Sequence, residues 1–566
     1  MTNHLAFDSE TTGLYAYLGD RPFAFSIADE GTEEYIIGGM KEVPETDGYI
    51  FIHNAKFDMH MLSVKNIPIP PRIFCTQAIS RLLSNLQPSY SLDYLGKHIG
   101  FPKDDTVKKY ISKNKLYTTT VVSGKKKVDR KPHYDQVPHE IMCEYAKRDA
   151  RVAYELGVHL IDKLLKRERD KPKEDPSAIP LLKNELALTY VLFEMEKLGI
   201  KVDVAYCQAA IDNCTRQVKI QGDLYHELVH KEFVDSNKAI KETFEEHGIT
   251  GGTTAKGNPS FSASVLETMD NKIAKCILDH RKVYKKLNTY YRNFLDLKDD
   301  DGLLHCNFVQ GGTSTGRMSC REPNLQNVHK ENNPDEDFNP RACFIPRDGY
   351  NFFMLDYDQM EYRLMLDIAG ETKLIKKIIG GMDVHAATAE AMGVERKYAK
   401  TINFMLLYGG GAQKLADALG IDLEKAEKLK NLYFEKLPMV SSFICDTIGT
   451  AKLLGHITNW FGRRCFVEED KEYKAPNYLI QGGCGDIVKK AMVQLADYLA
   501  DKKSNMVLQI HDEILFEVHK DEEHIVEQLQ TIMEQAYPHL RLPMTVGVEW
   551  SDTNWAERKP YSKSAD

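Results

Sequence analysis

The chain contains no apolar run of membrane-spanning length, no C-x-x-C pair, no surplus of positive charge and no internal repeat. Each absence removes a class of function. A membrane helix needs roughly 18 to 20 consecutive apolar residues, and the opening MTNHLAFDSE lacks the basic region followed by an apolar one that marks a secretory leader. A soluble, cytoplasmic protein with no membrane association is therefore expected. Eleven cysteines at irregular intervals point to free thiols in a reducing compartment rather than a disulfide framework or a zinc site. The net charge of −9 weighs against nucleic acid as a partner, because backbone phosphates are normally met by Lys and Arg. Its distribution weighs the other way. Ten Lys or Arg residues lie between Lys103 and Lys131, whereas acidic residues gather elsewhere, as from Glu331 to Phe338. The basic stretch reads equally as a phosphate contact and as a solvated loop.

What is present is ordinary globular material, 42% hydrophobic and 28% charged over 566 residues. That length exceeds one hydrophobic core, so three or more domains are expected. LAFDSETTG and GYIFIHNAKFD each read as a short apolar strand running into polar residues, the mark of an α/β unit. The helical pattern IMCEYAKRDARVAYELGVHLIDKLLK gives way to the charged, Pro-rich RERDKPKEDPSAIP, which suits a linker and puts a boundary near residue 175. Helical patterns dominate to about Leu297, interrupted by GITGGTTAKGNPSFS, after which strands and long helices alternate.

Asp8 and Glu10 stand two apart at a strand end, so both side chains lie on one face and can share a cation. Asp58 follows a second strand, and Asp149 lies on a helix with Tyr145 one turn before it. Hard divalent cations take such oxygen ligands, and a pair of ions can activate water and stabilise the leaving oxygen of a phosphodiester. Taken singly, each of these carboxylates reads as a cap, a turn residue or an exposed helix residue. A second set lies far downstream. FFMLDYDQMEYRLM delivers Asp356 at a strand end, followed by Asp358 and Glu361, and LQIHDEILFEV places His511, Asp512 and Glu513 where two strands should turn. Between them, RKYAKTINFMLLYGGG carries Arg396, Lys400, Phe404 and Tyr408 at steps of four, one slanting helical stripe of two cations and two aromatics. The stripe reads either as core aromatics with snorkelling neighbours or as a phosphate clamp beside a stacking platform. His385, in MDVHAAT, is a further candidate phosphate donor.

In order, DSETTG, HNAKFD and YAKRD resemble the three motifs of 3′-to-5′ exonucleases with four acidic ligands and a tyrosine. DYDQMEYR, RKYAKTINFMLLYG and IHDE resemble motifs A, B and C of family A DNA polymerases, and TSTGRMSCREPNLQN and APNYLIQGGCGDIVKKAM resemble further motifs of that family. The resemblance, nearest to the Klenow-like core of bacterial DNA polymerase I, implies a multidomain α/β fold. A ribonuclease H-like exonuclease domain over 1–175 would precede a right-hand polymerase over 176–566. Its thumb would cover about 203–297, its palm about 298–370 and 470–566, and its fingers about 371–469.

The resemblance also implies the roles. Asp8, Glu10, Asp58 and Asp149 would hold two divalent ions while Tyr145 orients the attacking water, and Asn54 and Phe57 would hold the frayed strand. Asp356, the Tyr357 carbonyl and Asp512 would hold two Mg2+ ions, with Mn2+ as a substitute, and Glu513 would support that site. Lys400, Arg396 and His385 would meet the triphosphate, and Lys400 would protonate the pyrophosphate. Glu361 beside Phe404 would exclude a ribose 2′-hydroxyl, and Tyr408 would guard the template side. Arg317, Asn477 and Gln481 would read the minor groove, with His511 at the primer end. Implied partners are primer-template DNA and dNTPs, with a replicative helicase or processivity factor besides, acting on a monomer. Because the exonuclease motif begins at residue 8, no 5′ nuclease domain is expected, and a compact or phage-type replicase, in the host cytoplasm if viral, fits. Cys75 before Thr76, Asp358 in place of Ser, and QGGCGD in place of Gly-Thr-Ala-Ala depart from the family pattern.

Overall fold

The computed structural model describes residues 3–122, 127–253, 259–329, 337–407 and 409–561. Leu5–Thr11 is the middle strand of a five-stranded sheet, ordered Glu33–Ile37, Pro22–Ala28, Leu5–Thr11, Ile50–Ile52, Ile73–Cys75. It runs antiparallel to Pro22–Ala28 and parallel to Ile50–Ile52. Ile50, Phe51 and Ile52 are all buried, as expected for a short parallel strand covered on both faces. The helix His139–Asp170 lies against this sheet. Gly157 lets the two pack tightly, since a Cβ there would fall 2.3 Å from the Phe51 ring.

That helix ends at Asp170 and the next, Ile179–Leu198, begins across the Pro-rich segment. Helices Val204–Val229, Asn237–Glu246 and Lys272–Lys285 follow. Tyr225, Ile240, Phe244, Phe261 and Ile277 give the outer part of this region a small core of its own. The chain then builds a second sheet, ordered Asn505–Ile510, Glu513–His519, Tyr350–Tyr357, Val546–Ser551, Lys559–Pro560, with every pairing antiparallel. Its central strand buries Phe352, Phe353, Met354 and Leu355 in succession. Both faces are therefore covered, which accounts for an unbroken apolar run where a one-sided strand would alternate.

Helix Ala475–Leu499 is buried over most of its circumference and packs on Ile179–Leu198, Met360–Ala369 and Pro438–Leu454. The helices from Thr372–Ile379 to Pro438–Leu454 stand beyond the second sheet. Among the described residues no helix is long and apolar enough to cross a membrane. The eleven cysteines are free thiols.

Candidate active sites

In the first sheet, alternation along Leu5–Thr11 brings Asp8 and Glu10 to one face, and the long helix supplies Asp149. One ligand atom from each lies within 4.8 Å of the others. Among the described residues Glu10 Oε1 and Asp149 Oδ1 are buried without a hydrogen-bond partner, and buried oxygens of that kind suit a hard cation. The expected ligands Asp8, Glu10 and Asp149 thus converge. Asp58, in the first turn of helix Ala55–Ser63, lies outside that 4.8 Å group but close enough to feel the Asp8 charge, and its Oδ1 accepts from the Ser9 N–H at 3.0 Å and the Ser9 hydroxyl at 2.6 Å. Tyr145 is buried one turn before Asp149 on the same helix. Cys75 Sγ accepts from the Ala55 N–H at 3.4 Å, which supports the start of the helix bearing Asp58.

Charge crowding sets the protonation of this cluster. Burial, then the Asp149 charge, pushes the Asp8 carboxyl up to about 7, with Lys103 opposing. Burial and neighbouring carboxylates also hold Glu10 and Asp58 well above the usual carboxylate range. Burial raises Asp149 against the pull of Lys103. The Lys103 ammonium pairs with Asp149 and lies 5.3 Å from the centre of the Tyr145 ring. Burial alone would push that ammonium down, but Asp149, Asp8 and Glu10 together hold it above its ordinary value. The sequence offered Lys103 only as one member of a basic stretch.

The second site forms on the central sheet. Asn505–Ile510 and Glu513–His519 make a hairpin whose turn is His511 and Asp512, with His511 at φ 55°. The Tyr357 N–H donates to the Asp512 carbonyl at 3.3 Å, so the turn is fastened to the strand end that carries Asp356. The turn that carries Asp512 is thus fastened beside the strand end that carries Asp356, although the two lie far apart along the chain. The Tyr357 side chain points into the core, where its hydroxyl donates to the Met533 carbonyl at 2.6 Å.

Glu513 is placed differently from the reading in which the turn lifts His511, Asp512 and Glu513 together. It is the first residue of its strand, directly opposite Asp356 and so on the same face, yet both its oxygens are taken by Arg558, at 2.6 and 2.9 Å. No sequence motif marked Arg558. Arg317 bridges the site, with Nη2 2.6 Å from Glu361 and 3.1 Å from Asp512. Asp358 receives the Thr545 hydroxyl at 3.0 Å and, through its own N–H, donates to the Thr545 carbonyl at 2.9 Å. Asn477 and Gln481, one turn apart on helix Ala475–Leu499, are half-buried, and Asn477 Oδ1 has no partner among the described residues.

The helix Arg396–Leu407 carries Arg396, Lys400 and Phe404, all exposed. Tyr408 lies outside the described residues. Asp383 caps helix Val384–Met392 by accepting from the Ala386 N–H, and it also grips Arg396 at 2.8 and 3.1 Å. His385 is buried, its ring centre 5.6 Å from that of Phe404. The Asn403 carboxamide meets His385 Nδ1 at 3.0 Å. Burial lowers the imidazole pKa, and Arg396 and Lys400 lower it further against the pull of Asp383. His385 is thus neutral at neutral pH.

The QGGCGD departure has a packing reason. A Cβ at Gly483 would lie 2.1 Å from the Trp460 ring, and one at Gly482 would lie 2.8 Å from the Thr315 carbonyl. Asp486 accepts from buried Arg463, which also reaches Glu185.

Residues 204–557 match DNA polymerase family A, and residues 1–166 match the 3′-5′ exonuclease family. The chain belongs to DNA polymerase family A. This family A chain is 28% identical to the DNA polymerase I of Chloroflexus aurantiacus, in a match covering 98% of this chain and 62% of that one. It is 33% identical to the thermostable DNA polymerase I of Thermus aquaticus over 65% of this chain and 47% of the relative. With the DNA polymerase I of Bacillus subtilis the identity is 31%, over 77% and 52%. The family A chain thus spans between 47% and 62% of the length of these relatives. Among solved structures it shares its fold with the "POL domain of Pol1 from M. smegmatis complex with DNA primer-template and dNTP", at TM-score 0.78 and 24% identity, covering 98% of this chain and 96% of that one. The expected order of an exonuclease domain followed by a polymerase domain holds for the family A chain.

Proposed function

We propose that this chain extends a DNA primer on a template with dNTPs and removes mismatched 3′ ends by 3′-to-5′ exonuclease action. The observation that carries the reading is the backbone bond between two segments: the strand end bearing Asp356 is hydrogen-bonded to the turn bearing Asp512. A domain boundary near residue 175, with thumb, palm and fingers divided at about 203–297, 298–370 with 470–566, and 371–469, belongs to the same reading.

Asp356, Asp512 and the Tyr357 carbonyl would hold two Mg2+ ions, and Asp8, Glu10, Asp58 and Asp149 two more. Bound there, such ions lower the pKa of the attacking hydroxyl or water and offset charge on the leaving oxygen. The remaining roles fall to the chain. Lys400, exposed on its helix, receives the triphosphate and gives a proton to the departing pyrophosphate. Arg396, once it leaves Asp383, and neutral His385 donate to the other phosphate oxygens. Glu361, held by Arg317, closes the space a ribose 2′-hydroxyl would need, with Phe404 as the neighbouring platform and Tyr408 toward the template. Glu513, locked by Arg558, braces the hairpin. Arg317, Asn477 and Gln481 contact the minor groove, and His511 the primer end. In the first domain Tyr145, whose phenol stays protonated through burial and the Asp149 charge, orients the attacking water, while Asn54 and Phe57 hold the frayed strand. A phage-type role would add a processivity factor or helicase as partner.

Primer extension tests this. With Mg2+ and all four dNTPs, the Asp8→Ala chain is expected to lengthen a primed template and to leave mismatched ends uncut, whereas Asp512→Ala abolishes extension. An Asp8→Ala chain that extends nothing overturns the reading.

A further inference from the structure

Asn85 lies just past helix Thr76–Leu83, on the rim of the first domain. Its carboxamide spends three hydrogen bonds on backbone far away in sequence. Nδ2 donates to the Ser314 carbonyl at 2.7 Å and to the Phe466 carbonyl at 3.1 Å, while Oδ1 accepts from the Phe466 N–H at 2.8 Å. With partners 229 and 381 residues distant, this is no local turn motif. One amide ties together two segments that otherwise belong to separate parts of the second domain, and it uses three of its four bonding positions to do so.

The segment it holds is the one that presents Arg317. The Gly316 N–H donates to the Thr313 carbonyl at 3.1 Å and the Thr313 N–H to the Arg317 carbonyl at 3.3 Å, so Ser314 sits inside a closed turn that ends on Arg317. From that turn Arg317 spans Glu361 and Asp512. An unbroken line of contacts therefore runs from a first-domain amide to a carboxylate of the second site. Other contacts already join the two domains: Lys56 and His60 pair with Glu196, and Arg167 donates to the Gly462 carbonyl. None of these holds the backbone of the Arg317 turn.

We propose that Asn85 is a positioning residue of the polymerase centre contributed by the exonuclease domain. It holds the Thr313–Arg317 turn so that the guanidinium meets Glu361 and Asp512 in one geometry, and the seating of the first domain is thereby felt at the second site. The inference rests on the polymerase reading above.

The test is a double-mutant cycle in the full chain, with Asp8→Ala present throughout so that primer ends survive. Single-nucleotide incorporation is measured for the parent, Asn85→Ala, Arg317→Ala and the double variant, on matched and mismatched ends. Loss of two to three partly buried hydrogen bonds is expected to lower kcat/KM on a matched end about fivefold to tenfold, and to narrow the gap between matched and mismatched ends. In the Arg317→Ala chain the same change is expected to have no further effect, since coupled residues are non-additive. Asn85→Ser, which keeps a donor for one carbonyl, is expected to fall between parent and Asn85→Ala, and it carries the test if Asn85→Ala does not fold. Equal fractional losses with and without Arg317, or no loss at all, would overturn the proposal and leave Asn85 as an interdomain tie. A parent that does not extend primers would instead overturn the polymerase reading, and this inference with it.

Discussion

Lys103 occupies the middle of a carboxylate cluster and offsets its charge, yet it does not bring Asp8 down to the ordinary carboxylate range. A carboxyl whose folded pKa, about 7, stands above its ordinary value of 3.8 keeps its proton longer in the folded state. The unfolded chain then binds fewer protons, and stability falls as pH rises through that interval. Metal-free protein is accordingly expected to lose stability between about pH 4 and pH 7, and Asp8→Asn to flatten part of the loss. Urea denaturation in a chelator across this range checks it, and identical slopes for the two proteins would refute it. Arg558 makes a different prediction. Its side chain is 5% exposed and that of Glu513 9%, so Arg558→Met strands a buried carboxylate at a cost of about 3–5 kcal/mol. The pair Glu513→Gln with Arg558→Met should recover much of that in a denaturation midpoint, because the buried carboxylate is then gone and Glu549, the other partner of Arg558, is 39% exposed. Neither residue's importance was legible beforehand. Asp8, Glu10 and Asp149 announced themselves by motif and face, but Lys103 was one lysine among many and Arg558 belonged to no pattern.

Strands and helices carried their own evidence unevenly. The stripe of Arg396, Lys400 and Phe404 follows from the helical repeat alone, and the structure leaves all three exposed. The hairpin at Asp512 was legible as two apolar runs around a polar turn, but Glu513 was read as part of the turn because a boundary shifts easily by one residue. The glycines of helix Ala475–Leu499 reverse the usual propensity argument. Alanine is favoured over glycine in a helix by about 1 kcal/mol, but a methyl at Gly483 would sit 2.1 Å from the Trp460 ring. Overpacking of this kind costs about 1–3 kcal/mol. Gly483→Ala is therefore expected to lower the melting temperature and to shift the emission of Trp460, and a stabilised variant would show that the ring moves aside freely. The sequence exposed the glycines as a departure from a family pattern; the reason for Gly483 lies in a ring 23 residues upstream, brought close only by the packing of the Asn459–Arg463 turn on the helix, and that for Gly482 in the Thr315 carbonyl.

The assembly of the molecule rests on charges taken out of water and paired. Arg463 bonds Asp486 and Glu185, and Lys489 bonds Glu185, with all four side chains no more than 3% exposed. Two cations balance two anions and join helices Ile179–Leu198 and Ala475–Leu499 to the Arg463 turn. Although burial alone would raise the Glu185 carboxyl, Lys489 and Arg463 hold it down at about 2. Its stabilising contribution is thus fully present above its ordinary value near 4.5 and lost as pH falls toward 2. Arg463→Met is expected to cost about 3–5 kcal/mol, measured as a fall in denaturation midpoint near neutral pH, and to narrow the acid limit of the fold. An unchanged midpoint would mean that Lys489 alone satisfies both carboxylates. Local spacing settled which residues could do chemistry: carboxylates at strand ends, cations and an aromatic on one helical face, a polar turn between two strands, and the order of two motif sets along the chain. Those features depend on neighbours within a turn or two, so periodicity is enough to reveal them. Which carboxylates meet, that Arg558 claims Glu513, that Asp383 holds Arg396, and that Asn85 reaches the turn of Arg317 were decided only by the tertiary structure. Each of these depends on a partner placed by packing rather than by sequence spacing, and hydrogen bonds and ion pairs act over a few ångströms in space, whatever the distance along the chain.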